Sequence, residues 1–128
     1  MKRKTFLSTV SFIGLVIGSA ALFSPETALE IKGVVASEAA NVWVRQVGVL
    51  LISMGVTAFL VRGDEDSPTL KAFFVGNIIL QLGLFPIEPI AYANGTITKL
   101  SGIVPNTMLH LLLAGGFALY LKKMNKHG

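Results

Sequence analysis

The chain has 128 residues, of which 52% are apolar and only 14% charged, with a net charge of +4 and no cysteine. An ordinary soluble domain carries about 25% charged residues, so this composition suits a chain whose surface meets lipid. The missing cysteines exclude disulfides, thiolate catalysis and Cys-based metal or Fe–S centres.

Four apolar runs, at about residues 5–23, 42–62, 70–92 and 103–122, reach the length of roughly 20 residues that a bilayer core demands. None alternates with period two, and in hydrocarbon an isolated segment satisfies its own backbone only as an α-helix. The expectation is a single all-α integral membrane domain over 1–128: a four-transmembrane-helix bundle with a short interfacial helix after the first span. The first run follows Lys2-Arg3-Lys4, which also describes a signal peptide. It is longer than the usual apolar stretch of about 7–15 residues, and Gly14 and Gly18 form a small-xxx-small pair suited to close helix approach. A retained helix is therefore expected. Ser24-Pro25-Glu26 then reads as N-cap, proline at the first helical position and first-turn acid, starting a short helix that ends near Gly33. A second start signal, Ser37-Glu38, leads into the second run, which carries Arg45 and Gln46 near its beginning and a strip of Gly48 and Gly55. Asp64-Glu65-Asp66 reads as a solvated turn, and Ser67-Pro68 repeats the start signal before the third run. Pro105 is expected to begin the fourth.

The basic residues set an orientation. With the N-terminus inside, Lys2, Arg3, Lys4, Arg62, Lys71, Lys122, Lys123 and Lys126 lie inside, against Lys32, Arg45 and Lys99 outside. Trp43 and Tyr92 then fall at the outer interface and Tyr120 at the inner one. A multi-pass protein of the inner or plasma membrane with both termini cytoplasmic follows. The basic residues flank apolar runs, so their partners are headgroups and no nucleic acid is expected. Asn94-Gly95-Thr96 fits a glycosylation sequon on the outer side.

Polar groups inside a bilayer are costly, by about 2.5–3.5 kcal/mol for a central charge, and so mark candidate sites. On the third run Asn77, Gln81 and Glu88 stand four and seven apart and share a face, with Gly76 and Gly83 on an adjoining strip that is expected to pack closely. Pro86 and Pro89 each remove a backbone donor beside Glu88 and loosen the helix there. On the fourth run Asn106 and His110 are four apart. Depth counting puts Glu88 and His110 within about one turn of each other. The expected site is an outward-facing polar pocket of Arg45, Gln46, Gln81, Glu88, Asn106 and His110, with an Arg45–Glu88 ion pair. Each residue also has a structural reading: Arg45 and Glu88 can snorkel to headgroups, Asn77 and Gln81 can act as interhelical glue, and His110 can be a packing residue. His127 sits in a polar tail. No metal site or cofactor is expected. His110 and His127 are too few for a bis-histidine haem within the membrane, and no P-loop, dinucleotide fingerprint, HExxH or GxSxG occurs.

The stretch Phe23-Ser24-Pro25-Glu26, then Gly33, then Val44-Arg45-Gln46 running on to Gly48 and Gly55, resembles small bacterial four-helix membrane proteins of the DoxX-like and related unknown-function families. The ending, Leu100-Ser101-Gly102-Ile103 and then Leu109-His110 through Phe117, looks like the last span of such proteins. The likeness implies the four-helix bundle and little about activity. Three functions stay open. The first is a lipophilic small molecule or partner helix held in the polar pocket, with Phe85, Leu84 and Leu113 as apolar walls. The second is a membrane enzyme on a quinone, isoprenoid or lipid, with Glu88 and His110 as acid–base pair and Arg45 as electrostatic stabiliser. The third is a transporter or channel subunit lined by Asn77, Gln81 and Glu88. Membrane lipid, a homo-oligomer and a membrane-protein partner are the expected associations.

Overall fold

The computed structural model describes residues 1–125. All of its regular structure is helical: α1 (Arg3–Phe23), α2 (Pro25–Ile31), α3 (Glu38–Leu60), α4 (Pro68–Leu84), α5 (Ile87–Ala93) and α6 (Leu100–Met124), with a 3-10 turn, Val61–Gly63, closing α3. Four helical segments of 21, 26, 26 and 25 residues are long and apolar enough to cross a membrane. At 1.5 Å per residue each exceeds a hydrocarbon core of about 30 Å. Their outward faces are apolar as well: Phe12, Leu50, Ile79 and Leu112 are all more than 60% exposed. In water such faces would aggregate; in lipid they are matched to their solvent.

Helices start at all three expected signals, two of them through the serine hydroxyl; Ser24 precedes α2 without a side-chain cap. The Ser37 hydroxyl accepts the Ala40 N–H at 3.1 Å, and the Ser67 hydroxyl accepts the Leu70 N–H at 3.1 Å. Each satisfies one of the four orphan donors at a helix N-terminus. Pro25 and Pro68 occupy the first helical positions, where a missing N–H costs nothing. At its other end α3 is closed by Arg62, whose guanidinium lies 3.3 Å over the Phe59 ring and donates to the Phe59 carbonyl.

The helices form two compact units, Met1–Gly63 and Asp64–Gly128. In the first, α1 and α3 pair as a hairpin whose seam is made of glycine. A Cβ at Gly48 would stand 2.6 Å from the Leu22 nitrogen and 2.7 Å from the Gly18 carbonyl oxygen. One at Gly18 would stand 2.8 Å from the Gly48 carbonyl, and one at Gly55 2.9 Å from that of Ser11. The two backbones therefore touch, which only glycine permits, as in small-xxx-small packing. Leu7, Ser11 and Ala21 line the same buried face of α1. Short α2 is tied to α3 where the Asn41 amide donates to the Glu26 carboxylate at 3.3 Å.

The second unit pairs α4 with α6 on a different principle. Its core is aromatic: the rings of Phe74 and Phe117 meet edge-on at 5.6 Å, Phe73 lies 6.1 Å from Phe117, and neither Phe74 nor Phe117 is exposed at all. Edge-to-face contacts of this kind suit the ring quadrupoles.

Two expectations are corrected, and the lapse at Pro86 is located. Gly76 and Gly83 are exposed, and a Cβ at either would meet nothing within 4 Å, so this strip does not close the hairpin. The third run stays one helical segment, Pro68–Ala93, and is loosened where expected: the α4 ladder lapses after Leu84 and resumes with α5 at Ile87, since Pro86 offers no N–H to the carbonyl four residues back, while Phe85 and Pro86 keep right-handed helical backbone. The fourth helix begins at Leu100 and takes Pro105 into its interior. The lost bond is a single one near the helix end, and burial of Ile103, 3% exposed, holds the extra turn in place.

Candidate functional site

Leu70, Phe74, Asn77 and Gln81 are the buried residues of α4, spaced four, three and four apart, so they form one stripe along the helix. Two members of that stripe are polar, and both are nearly inaccessible: Asn77 is 3% exposed and Gln81 7%. The Asn77 amide donates to the Phe73 carbonyl one turn back, at 2.9 Å. Gln81 instead reaches across to α6, where its Oε1 lies 2.6 Å from Nδ1 of His110. Nε2 of the same ring lies 3.3 Å from the Asn106 amide nitrogen.

With both amides oriented as they stand, their chemistry selects the tautomer of His110. An amide oxygen only accepts, so Nδ1 must carry the hydrogen it gives to Gln81. An amide nitrogen only donates, so Nε2 must present its lone pair to Asn106. The neutral Nδ1–H imidazole meets both demands at once. In a membrane interior such a relay contributes about 0.6 kcal/mol per hydrogen bond, since the separated helices also find partners. It fixes register: a rotation of α4 that removes Gln81 from His110 leaves polar groups facing apolar surroundings.

Of the six residues expected in the pocket, Gln81, Asn106 and His110 are brought into one hydrogen-bonded group. Glu88 belongs to the same hairpin and sits half-buried in the first turn of α5. Arg45 and Gln46 belong to the first hairpin and are exposed on α3. Asn77, absent from the expected pocket, is the most buried amide of the stripe; its four-residue spacing from Gln81 was the signal that marks it. The seam brings together three amides and one imidazole, with no carboxylate, lysine or arginine among these four side chains. Among the described residues no group of three or more His, Cys, Asp or Glu is arranged to hold a metal ion.

Compared with protein-family models, curated proteins and solved structures, the chain matches none.

Proposed function

We propose that this is a multi-pass protein of the inner or plasma membrane, both termini cytoplasmic, that binds a lipophilic small molecule at the polar seam of its second hairpin. The observation that carries this reading is the hydrogen-bonded Gln81–His110–Asn106 group, in which buried Gln81 meets half-buried His110 and Asn106, with buried Asn77 beside it. Buried polar side chains in a lipid-facing hairpin mark binding sites or pathways by default. The absence of fixed charge selects the ligand class. A phosphate headgroup drawn into such a seam would lack a compensating cation. A neutral amphiphile whose head is a hydroxyl or carbonyl, such as a prenol, diacylglycerol or quinone, asks only for the amide and imidazole groups present. Glu88 and Arg45 would then snorkel to the headgroup level.

Native mass spectrometry of the full chain released from detergent micelles tests the reading. Wild type should carry a bound neutral lipid and take up added diacylglycerol or prenol in preference to phosphatidylglycerol. Gln81→Leu and His110→Ala should each lower occupancy at least tenfold. Equal occupancy in wild type and both variants, or a preference for the anionic lipid, would reject it.

A further inference from the structure

The two hairpins share a plan in detail. Each runs from a long helix to a helix of seven residues and then to a second long helix. Past the first helix the boundaries recur 62 positions later: Pro25 becomes Ile87, Ile31 becomes Ala93, and Glu38 becomes Leu100. The short helices end alike. Gly33 and Gly95, again 62 apart, are the glycines of positive φ, at 71° and 77°. The Gly33 N–H donates to Glu30 and the Val34 N–H to Leu29; at the equivalent places Gly95 donates to Tyr92 and Thr96 to Ala91. Both are the paired bonds of a left-handed glycine cap.

The seams can then be compared position by position. On the second long helix Gly48 and Gly55 correspond to His110 and Phe117. On the first, the buried stripe is displaced by 63: Leu7 to Leu70 and Ser11 to Phe74. The clasp glycines Gly14 and Gly18 therefore correspond to Asn77 and Gln81. One residue of slip turns a helix by about 100°, which carries Gly76, the sequence counterpart of Gly14, out of the seam and brings the amides in. Every glycine that closes the first hairpin is replaced in the second by a side chain of the polar group or by the aromatic beneath it.

We infer that the chain is a tandem repeat of one helical hairpin, and that its ligand site is the clasp of that hairpin opened in the second copy by Asn77, Gln81 and His110, while the first copy stays sealed by glycine. The inference rests on the ligand-binding reading above and sharpens it: Asn77 becomes a ligand-contacting residue, and the neutral headgroup occupies the level at which Gly14 meets α3 in the first hairpin.

The test uses the full chain in micelles. NMR backbone shifts should show a short helix ending in a positive-φ glycine at both 33 and 95; helical shifts running through either glycine would overturn the repeat without reference to any ligand. Diacylglycerol occupancy by native mass spectrometry should fall at least tenfold in Asn77→Ala and in Asn77→Thr, a variant whose hydroxyl keeps a bond to the Phe73 carbonyl and so guards against simple misfolding. In Gly48→Ala the melting temperature should drop, while occupancy per folded chain stays within twofold of wild type. If Gln81→Leu and His110→Ala lose the lipid but both Asn77 variants keep it, or folded Gly48→Ala loses it, the opened-clasp inference falls and the binding reading stands. If none of these variants loses the lipid, both fall.

Discussion

Replacing Gly48 by alanine should loosen the first hairpin by a predictable amount. The added methyl would sit 2.6 Å from the Leu22 nitrogen and 2.7 Å from the Gly18 oxygen, both backbone atoms that no rotamer can move aside. Ordinary contact begins at about 3.5 Å, so α1 and α3 must part locally by about 1 Å. A gap of that size forfeits roughly a quarter to a half of the dispersion well for each pair across the seam, and overpacking of this kind typically costs about 1–3 kcal/mol. Alanine's better helix propensity offsets up to about 1 kcal/mol. The net expectation is a loss of about 1–2 kcal/mol. Reversible unfolding in mixed micelles, followed by circular dichroism and by Trp43, the chain's only tryptophan, measures it. Gly76→Ala is the internal control: its Cβ would meet nothing within 4 Å, so its stability should hold or rise slightly. Were Gly48→Ala and Gly76→Ala equally stable, backbone contact across the α1–α3 seam would be refuted.

Other outcomes follow from the same geometry. A double-mutant cycle on Gln81→Leu and His110→Ala should give a coupling near 0.6 kcal/mol and no more than about 1.7 kcal/mol; additive losses would show that the 2.6 Å contact does not operate. Ser67→Ala should cost about 1 kcal/mol by stripping the cap from Leu70 N–H, and a loss below a few tenths would contradict the capping role.

What could be read in advance was local. Ser37-Glu38 and Ser67-Pro68 start helices through a hydroxyl that reaches one turn on, and Ser24-Pro25 through the fixed φ of its proline, so three or four letters suffice. The four long helices were legible because lipid constrains length and apolarity alone. Helix partners were not. Gly14 with Gly18, Gly48 with Gly55 and Gly76 with Gly83 look alike as spacings, yet the first two strips clasp each other and the third meets nothing, because spacing names a face and not its neighbour. Pro105 misled for a related reason: its cost is one hydrogen bond, and burial of Ile103 outweighs it. Within the site, the α6 pair Asn106 and His110 followed from the four-residue rule, whereas the cross-helix reach of Gln81 to His110 needed the fold. The repeat of hairpins is nearly silent in the letters, since lipid-facing positions accept any apolar side chain. Phe23 and Phe85, Glu26 and Glu88, and Gly33 and Gly95 survive as matches, the glycines because their backbone conformation demands it.

In the proposed function a neutral imidazole, held between two amides inside a lipid-facing hairpin, meets an uncharged headgroup. Nitrogen-15 NMR of histidine-labelled protein in nanodiscs, in a His127→Gln background so that His110 is the single histidine, reads this directly. The expected result is an Nδ1-protonated neutral ring whose signals move when diacylglycerol is added and not when phosphatidylglycerol is, and a change of tautomer in Gln81→Leu. An Nε2-protonated ring that ignores both lipids and the Gln81 substitution would contradict it.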